Sequence, residues 1–341
     1  MAAPTEYEVD PSIAGGSGTG THGDPFGDLQ FALDSITQGA GGDRVSVWDS
    51  ADEVLAASLT NLTYGTPTDL KPLIIEGMTA TGTPGDGGIG GIDCNAGAIG
   101  VFTAVTVNNV TLKNMRVHNA AGVTQVVQVA GESAVINCEI DNVSATSVIN
   151  PGGNCVIMNN YVHNCSGIGL SASTSTLVLN NRFEDGVKKF TTAAVRMASA
   201  GGTAIGNYVS VSGATDGINL RAGCSAIHNS IYSAGGTGQG IDDGGGANEE
   251  WNVVANNIFE GFSGVGGIGI DNSSTAAIHY CDGNRFFNCT TNITATARIL
   301  AGNTANTTLT VSAFTNAPTD FTPVNTDGIF NAALPGKVGL F

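Results

Sequence analysis

Three aspartates have the types and spacing to do chemistry together: Asp216 in Thr215-Asp216-Gly217, and Asp242 with Asp243 in Ile241-Asp242-Asp243. Hydrolysis of a glycosidic bond needs two carboxyl groups, one protonated as acid and one ionised as base, about 6.5–9.5 Å apart in an inverting pair. Residues on neighbouring turns of a repeating chain can supply such a pair. Aligning the repeats places Arg196, Asn219 and Asp242 in one outward column, with Arg221 and Asp271 two positions later in neighbouring coils. Those four neighbours of Asp242 (Arg196, Asn219, Arg221 and Asp271) are the expected substrate-binding residues, the arginines being suited to a uronate carboxylate. Two plainer readings stand beside this one. Asp and Gly are common turn residues, so Asp242-Asp243-Gly244-Gly245-Gly246 also reads as a turn. Asp242 and Asp243 with Glu249 or Glu250 would also suit Ca²⁺, a hard cation that takes oxygen ligands. No other metal or cofactor is expected.

A second set is His118, Asp141, His163 and Glu184, which share one repeat position. They stack as alternating base and acid on an outer face. The column reads either as a metal or acid–base site, or as a solvated strip of cross-strand partners. Histidines two coils apart stand about 9.6 Å apart at the backbone, which is awkward for a shared zinc and favours the strip.

The elements that must hold these residues follow from the repeat between about 110 and 290. One apolar position recurs as Val117, Ile140, Val162, Phe183, Val209, Ile231, Phe259 and Phe286. Two residues earlier the chain carries Met115 and Cys138, then six asparagines: Asn160, Asn181, Asn207, Asn229, Asn257 and Asn284. Five residues before the anchor the position is apolar throughout, from Leu112 to Cys281. Coils of parallel strands about 4.8 Å apart stack like side chains along an axis. An Asn stack can satisfy buried turn amides and bond to the next Asn, and Asn tolerates left-handed backbone. A second polar column, Asn119, Asn142, Asn164, Asp185 and Asn288, marks a further bend. A third strand runs through Gly167–Leu170, Ala194–Met197, Gly217–Leu220, Gly240–Asp243 and Gly267–Ile270, with loop insertions at 186–192 and 244–250. The expected fold is all-β, a right-handed parallel β-helix over 43–312. Residues 1–42 form an N-terminal arm and capping helix, with Asp24 as N-cap and Pro25 in its first turn. Residues 313–341 form an irregular C-terminal cap or assembly arm.

The Asp-Pro-Phe…Leu-Gln-Phe-Ala-Leu cap at 24–33, the Asp43-Arg-Val-Ser-Val strand and the Asn columns resemble the pectate-lyase-like superfamily of right-handed β-helices. That superfamily holds polysaccharide lyases, glycosidases, pectin esterases, phage tailspikes and adhesins, so the likeness implies a fold and leaves the function open. The Asp216 and Asp242-Asp243 segments resemble part of the polygalacturonase pattern. The chain departs from that pattern where a Gly-His-Gly is expected, reading Gly267-Ile-Gly-Ile-Asp271, and no Arg-Ile-Lys follows.

Bulk properties narrow the partners. Twenty-nine acids against 12 bases give a net charge of −17, which argues against nucleic acid. No run of 18 or more apolar residues occurs, and no classical signal sequence opens the chain. Seven cysteines without metal-like pairing read as buried free thiols. These features, with the incomplete polygalacturonase pattern, lead to a first expectation of a non-catalytic structural or binding protein of a virion or extracellular surface assembly, such as a phage decoration, tail or fibre component. Its partners would be further copies of itself, a trimer being plausible, and capsid or tail proteins. The alternatives are a glycoside hydrolase or lyase acting on a polysaccharide, and a carbohydrate-binding adhesin.

Overall fold

The computed structural model describes residues 4–36, 42–59, 72–83, 85–102, 108–221, 223–243, 252–272, 278–295, 298–300, 307–310, 312, 314–316 and 320–323. The chain divides into two compact units, Met1–Ser166 and Gly167–Phe341. Each is a stretch of right-handed parallel β-helix whose strands recur in three sheets.

In the first unit, the first sheet begins a coil earlier than the sequence implies. Thr5–Val9 pairs in parallel with Asp43–Trp48, so the N-terminal arm already contains a strand. Asp43–Trp48 then pairs with Leu73–Met78, and that strand with Val110–Lys113. The capping helix is Leu29–Ser35, later and shorter than expected. Asp28 is its N-cap and accepts the Phe31 N–H at 2.6 Å. Asp24 and Pro25 are drawn into other structure. The Asp24 carbonyl closes a turn with the N–H groups of Thr19 and Gly20, and Phe26 exchanges backbone bonds with Glu8 and Asp10. Leu29, Ala32 and Leu33 bury the inner face of the helix.

In the second unit, Leu177–Leu179, Thr203–Ile205, Ser225–Ile227 and Asn252–Ala255 continue the first-sheet pattern. Arg182–Glu184, Tyr208–Val211, Ser230–Ser233, Ile258–Glu260 and Arg285–Phe287 form the second. The anchors pair as aligned: Phe183 with Val209, Val209 with Ile231, Ile231 with Phe259, and Phe259 with Phe286, all of them buried. Phe259 and Phe286 stack with ring centroids 5.0 Å apart. Among the described tail residues, Phe314–Asn316 and Asp320–Pro323 pair antiparallel, and Phe314 packs on Ile258.

The asparagine column is a buried ladder. In each of Asn207, Asn229 and Asn257 the side-chain Oδ1 accepts the backbone N–H of the column residue one coil earlier, at 2.9 Å. Its Nδ2 donates both to a carbonyl of that earlier coil and to the next Asn Oδ1. Asn160 does the same for Cys138 and Val135 in the first unit. The left-handed backbone, however, falls one residue earlier, at Asn114, Asn137, Asn159, Asn180, Gly206, His228, Asn256 and Gly283. The ladder asparagines are therefore held by their side-chain bonds, and their neighbours make the bend.

The third-sheet register differs from the aligned one at both ends. Leu170 pairs with Val195, and Ile241 with Ile270, each two residues from the expected partner. Gly-Ile-Gly-Leu and Gly-Ile-Gly-Ile repeat every two residues, so either register keeps the same faces. In the observed register the backbones pass closely at glycines: a Cβ on Gly240 would lie 2.5 Å from the Gly269 carbonyl oxygen, and one on Gly217 the same distance from that of Gly240.

Candidate active site

The corrected register joins what the sequence had separated. Arg196, Asn219, Asp242 and Asp271 occupy one row of third-sheet strands Ala193–Met197, Asp216–Leu220, Gln239–Asp242 and Ile268–Asn272. Thr294 continues the row on Thr291–Ala295. Asp271 thus sits in the Asp242 column itself, rather than two positions beyond it. Inward neighbours Ile218, Ile241 and Ile270 are buried and fix the strands from below, leaving the alternate row half-exposed. Arg221 lies just past its strand, half-buried, with its N–H on the Met197 carbonyl.

The row is tied together by side-chain amides and hydroxyls. Asn219 Nδ2 donates to Asp242 Oδ2. Gln239 Nε2 donates to Asp271 Oδ2 at 2.7 Å, and Thr294 Oγ1 donates to the other Asp271 oxygen. Gln239 also donates its backbone N–H to Asp216 Oδ1 at 3.0 Å. Gln239 and Thr294 were missed in the sequence, because their role depends on the register.

Asp216 is strongly changed by its surroundings. Burial pushes its carboxyl up to about 7, and the negative charges of Asp242 and Asp271 add to the rise, while the Gln239 N–H opposes it. Asp243 donates its backbone N–H to the Asp271 carbonyl at 2.9 Å, but its carboxyl is buried. It is 1% exposed, its Oδ1 accepts from Asn252 Nδ2 at 2.6 Å, and Asn252 Oδ1 takes the Cys224 N–H. The structure therefore brings Asp216 and Asp242 together and assigns Asp243 to coil closure.

Among the described residues no group of three or more His, Cys, Asp or Glu is arranged to hold a metal ion. Glu249 and Glu250, and with them the expected Ca²⁺ set, lie outside the described residues. The His118 column is the strip of ionic partners: His118 Nε2 meets Asp52 at 2.9 Å, His163 Nε2 meets Glu139 at 3.0 Å, and Arg116 grips Asp141 with two bonds of 3.1 Å. All seven cysteines are free; six are buried and Cys289 is half-buried. A separate cavity of about 390 Å³ in the first unit touches none of these residues and is lined by the cap helix and Glu53.

No family model and no curated protein matches the chain. Solved structures do. A mannuronic acid specific polysaccharide family 6 lyase from human gut microbiota superposes with a TM-score of 0.57 at 14% identity, over 87% of this chain and 67% of that one. The lacto-N-biosidase of family GH136 from Eubacterium ramulus gives 0.54 at 10% identity, over 89% and 68%. The PL6 family alginate lyase AlyGC gives 0.51 at 14% identity over 79% of this chain, which spans only 38% of that enzyme. At such identities the likeness is one of fold. No helix among the described residues is long and apolar enough to cross a membrane.

Proposed function

We propose that this chain is a polysaccharide-active glycoside hydrolase whose site is the third-sheet row around Asp216 and Asp242. The observation that carries the reading is a carboxyl group kept protonated to about 7, one coil from the outward-facing Asp242. An acid and a base with environments that separate their protonation are the minimal equipment for glycoside hydrolysis. Asp242 stands one coil up and three residues along from Asp216. With about 4.8 Å between coils and about 3.3 Å per residue, the two backbones are about 11 Å apart. In this scheme Asp216 gives its proton to the glycosidic oxygen as the bond from the anomeric carbon to that oxygen breaks. Asp242 takes a proton from the water whose oxygen bonds to the anomeric carbon.

The likeness in fold to two polysaccharide lyases and a glycosidase supports a carbohydrate ligand in general terms. The assembly reading rested on the acidic charge, the absent signal sequence, the free cysteines and the incomplete polygalacturonase pattern, and it expected partner contacts at the two ends. The N-terminal end is described from residue 4 and packs on its own unit, through Val9 and its parallel pairing. Most of 313–341 lies outside the described residues. Incubation with a panel of polysaccharides, followed by assay of new reducing ends, tests the proposal. Release that disappears in Asp242→Asn and in Asp216→Asn is expected. Products with the ultraviolet absorbance of an unsaturated uronate would replace hydrolysis by elimination, and no release from any glycan would overturn the reading.

A further inference from the structure

Glu53, in the first unit, stands where the coil pattern asks for an apolar side chain. Asp52–Val54 pairs in parallel with Gly90–Asp93, which sets Glu53 beside Ile92, and Ile92 pairs in turn with Val117. Ile92 and Val117 are fully buried in the inward column that continues with Ile140. Glu53 therefore places a carboxyl at the head of an apolar column, and the residue is 6% exposed. Burying an acid there is costly unless it has work to do. Part of that work is capping, since Glu53 accepts the Leu29 N–H at the start of the cap helix. Capping does not explain the cavity of about 390 Å³ that Glu53 also lines.

That cavity combines acids with an aromatic wall. Asp28 and Asp34 line it beside Glu53, Phe31 and Leu55 give it apolar surface, and no Lys, Arg or His is among its described lining residues. Asp34 is oriented by Gln30, whose Nε2 donates to its Oδ1 at 2.8 Å. Phe31 is 41% exposed but firmly placed. Its ring meets Phe26 edge-on with centroids 5.5 Å apart, and a Cβ on Gly16 would lie 2.8 Å from it, so the chain passes hard against the ring. The volume falls in the range of small-molecule sites. Among the described residues no three acids converge to hold a metal ion, so these carboxyls surround a space instead of meeting at a point.

We propose that the cavity under the cap helix is a binding site for an organic ammonium ion with a short apolar body, separate from the third-sheet row. The ammonium meets the carboxyls of Glu53, Asp28 and Asp34, while the body packs on Leu55 and on Phe31, whose ring face also attracts a cation. A net charge of −17 draws such a ligand in from a distance. The charged groups facing the ligand are Asp28 and Asp34 from the helix side and Glu53 from its strand; Gly16 and 55–58 add none. Burial, aided by the charge of Asp28, pushes the Glu53 carboxyl up to about 7. A bound cation favours the ionised form, so below that pH Glu53 must give up its proton for the ligand to bind. Affinity therefore rises with pH through about 7 and levels off above it.

Calorimetry on the full chain at pH 8 tests this with benzylammonium, its neutral counterpart benzyl alcohol, and calcium chloride. Benzylammonium is expected to bind one per chain, at least about tenfold more tightly than benzyl alcohol. Glu53→Gln is expected to weaken it at least about tenfold, and Asp34→Asn and Phe31→Leu by less. Because Glu53 also caps the helix, the exposed Asp34 and Phe31 variants carry the test should Glu53→Gln unfold the cap. Binding by the unaltered chain is expected to weaken between pH 8 and pH 5.5, and binding by Glu53→Gln to change less. Benzyl alcohol bound as tightly as benzylammonium would reduce the cavity to an apolar hole and overturn the proposal. Calcium that displaces benzylammonium at equal concentration would replace it with a metal site. Failure of benzylammonium to bind at millimolar concentration, or binding indifferent to all three substitutions, also overturns it. None of these outcomes bears on reducing-end release, so the two readings stand or fall separately.

Discussion

The second-sheet strip of the first unit and the third-sheet row of the second unit are both ladders of outward polar side chains, yet their charges are arranged differently. On the strip each cationic or histidine side chain meets an acid: Arg116 meets Asp141, His163 meets Glu139, and His118 meets Asp52. On the row the acids are held by neutral amides and hydroxyls, and Arg196 has no acidic partner among the described residues. A paired ladder spends its charge internally and has little left for a ligand. An unpaired one keeps both its protons and its cations available.

The comparison breaks most visibly on Asp242. Asp242→Asn keeps the size of the side chain and removes its base function, which is expected to cost about 10²–10⁴ in the rate of reducing-end release. His163→Asn on the strip is expected to leave that rate unchanged. A strip variant as damaging as Asp242→Asn would show that the two ladders do not divide the work as their pairing implies.

Next in size is the buried asparagine ladder of the second unit. Asn229→Ala strips the Asn207 N–H and Nδ2 of their acceptor and the Ala204 carbonyl of its donor. Buried groups left unsatisfied cost about 1–3 kcal/mol each, so a loss of about 3 kcal/mol or more is expected in urea unfolding of the second unit. A loss below about 1 kcal/mol would mean that water replaces the amide.

The third test is of pH. Asp216 and, in the first unit, Glu53 are both raised to about 7, chiefly by burial, Glu53 being further raised by the charge of Asp28. A carboxyl that holds its proton more tightly when folded makes the native state bind more protons than the unfolded one. Stability therefore falls as pH rises from about 4 to about 7, by at most a few kcal/mol per group, and levels off above. Thermal unfolding across that window is expected to show the slope, and Glu53→Gln and Asp216→Asn each to flatten it. As the proton donor, Asp216 should also bring catalysis down above about pH 7.

How legible these differences were depends on how the sequence encodes them. The parallel β-helix was readable because axial stacking repeats one residue type per coil, and six ladder asparagines cannot be mistaken for a sandwich. The bend residues were equally visible in the pairs Asn159-Asn160, Asn180-Asn181 and Asn256-Asn257, but the left-handed role belonged to the first of each pair. Thr5–Val9 alternates like a strand but precedes the recognisable repeat, so no phase assigned it. Asp24 and Asp28 are both credible caps, and only the tertiary pairing of Phe26 chooses between them. Asp216 and Asp242 could be nominated from composition and coil spacing, whereas the Asp271 position turned on a two-residue slip that Gly-Ile-Gly cannot resolve. The inward turn of Asp243 depended on Asn252, nine residues away across an insertion.

The smallest expected effect sharpens the comparison from the side of the strip. Arg116 and Asp141 make a two-bond fork, but the Arg116 side chain is 41% exposed and that of Asp141 13%. Solvent and salt screen such a pair, and ordering the long Arg side chain offsets part of its attraction. A double-mutant cycle with Arg116→Gln and Asp141→Asn is therefore expected to give a coupling of about 0.2–1 kcal/mol that shrinks in high salt. If the coupling exceeded about 2 kcal/mol, the strip would be a principal source of stability rather than a solvated surface. The third-sheet row would then be unusual only in lacking that reinforcement, and its unpaired arginine would no longer need a ligand to explain it.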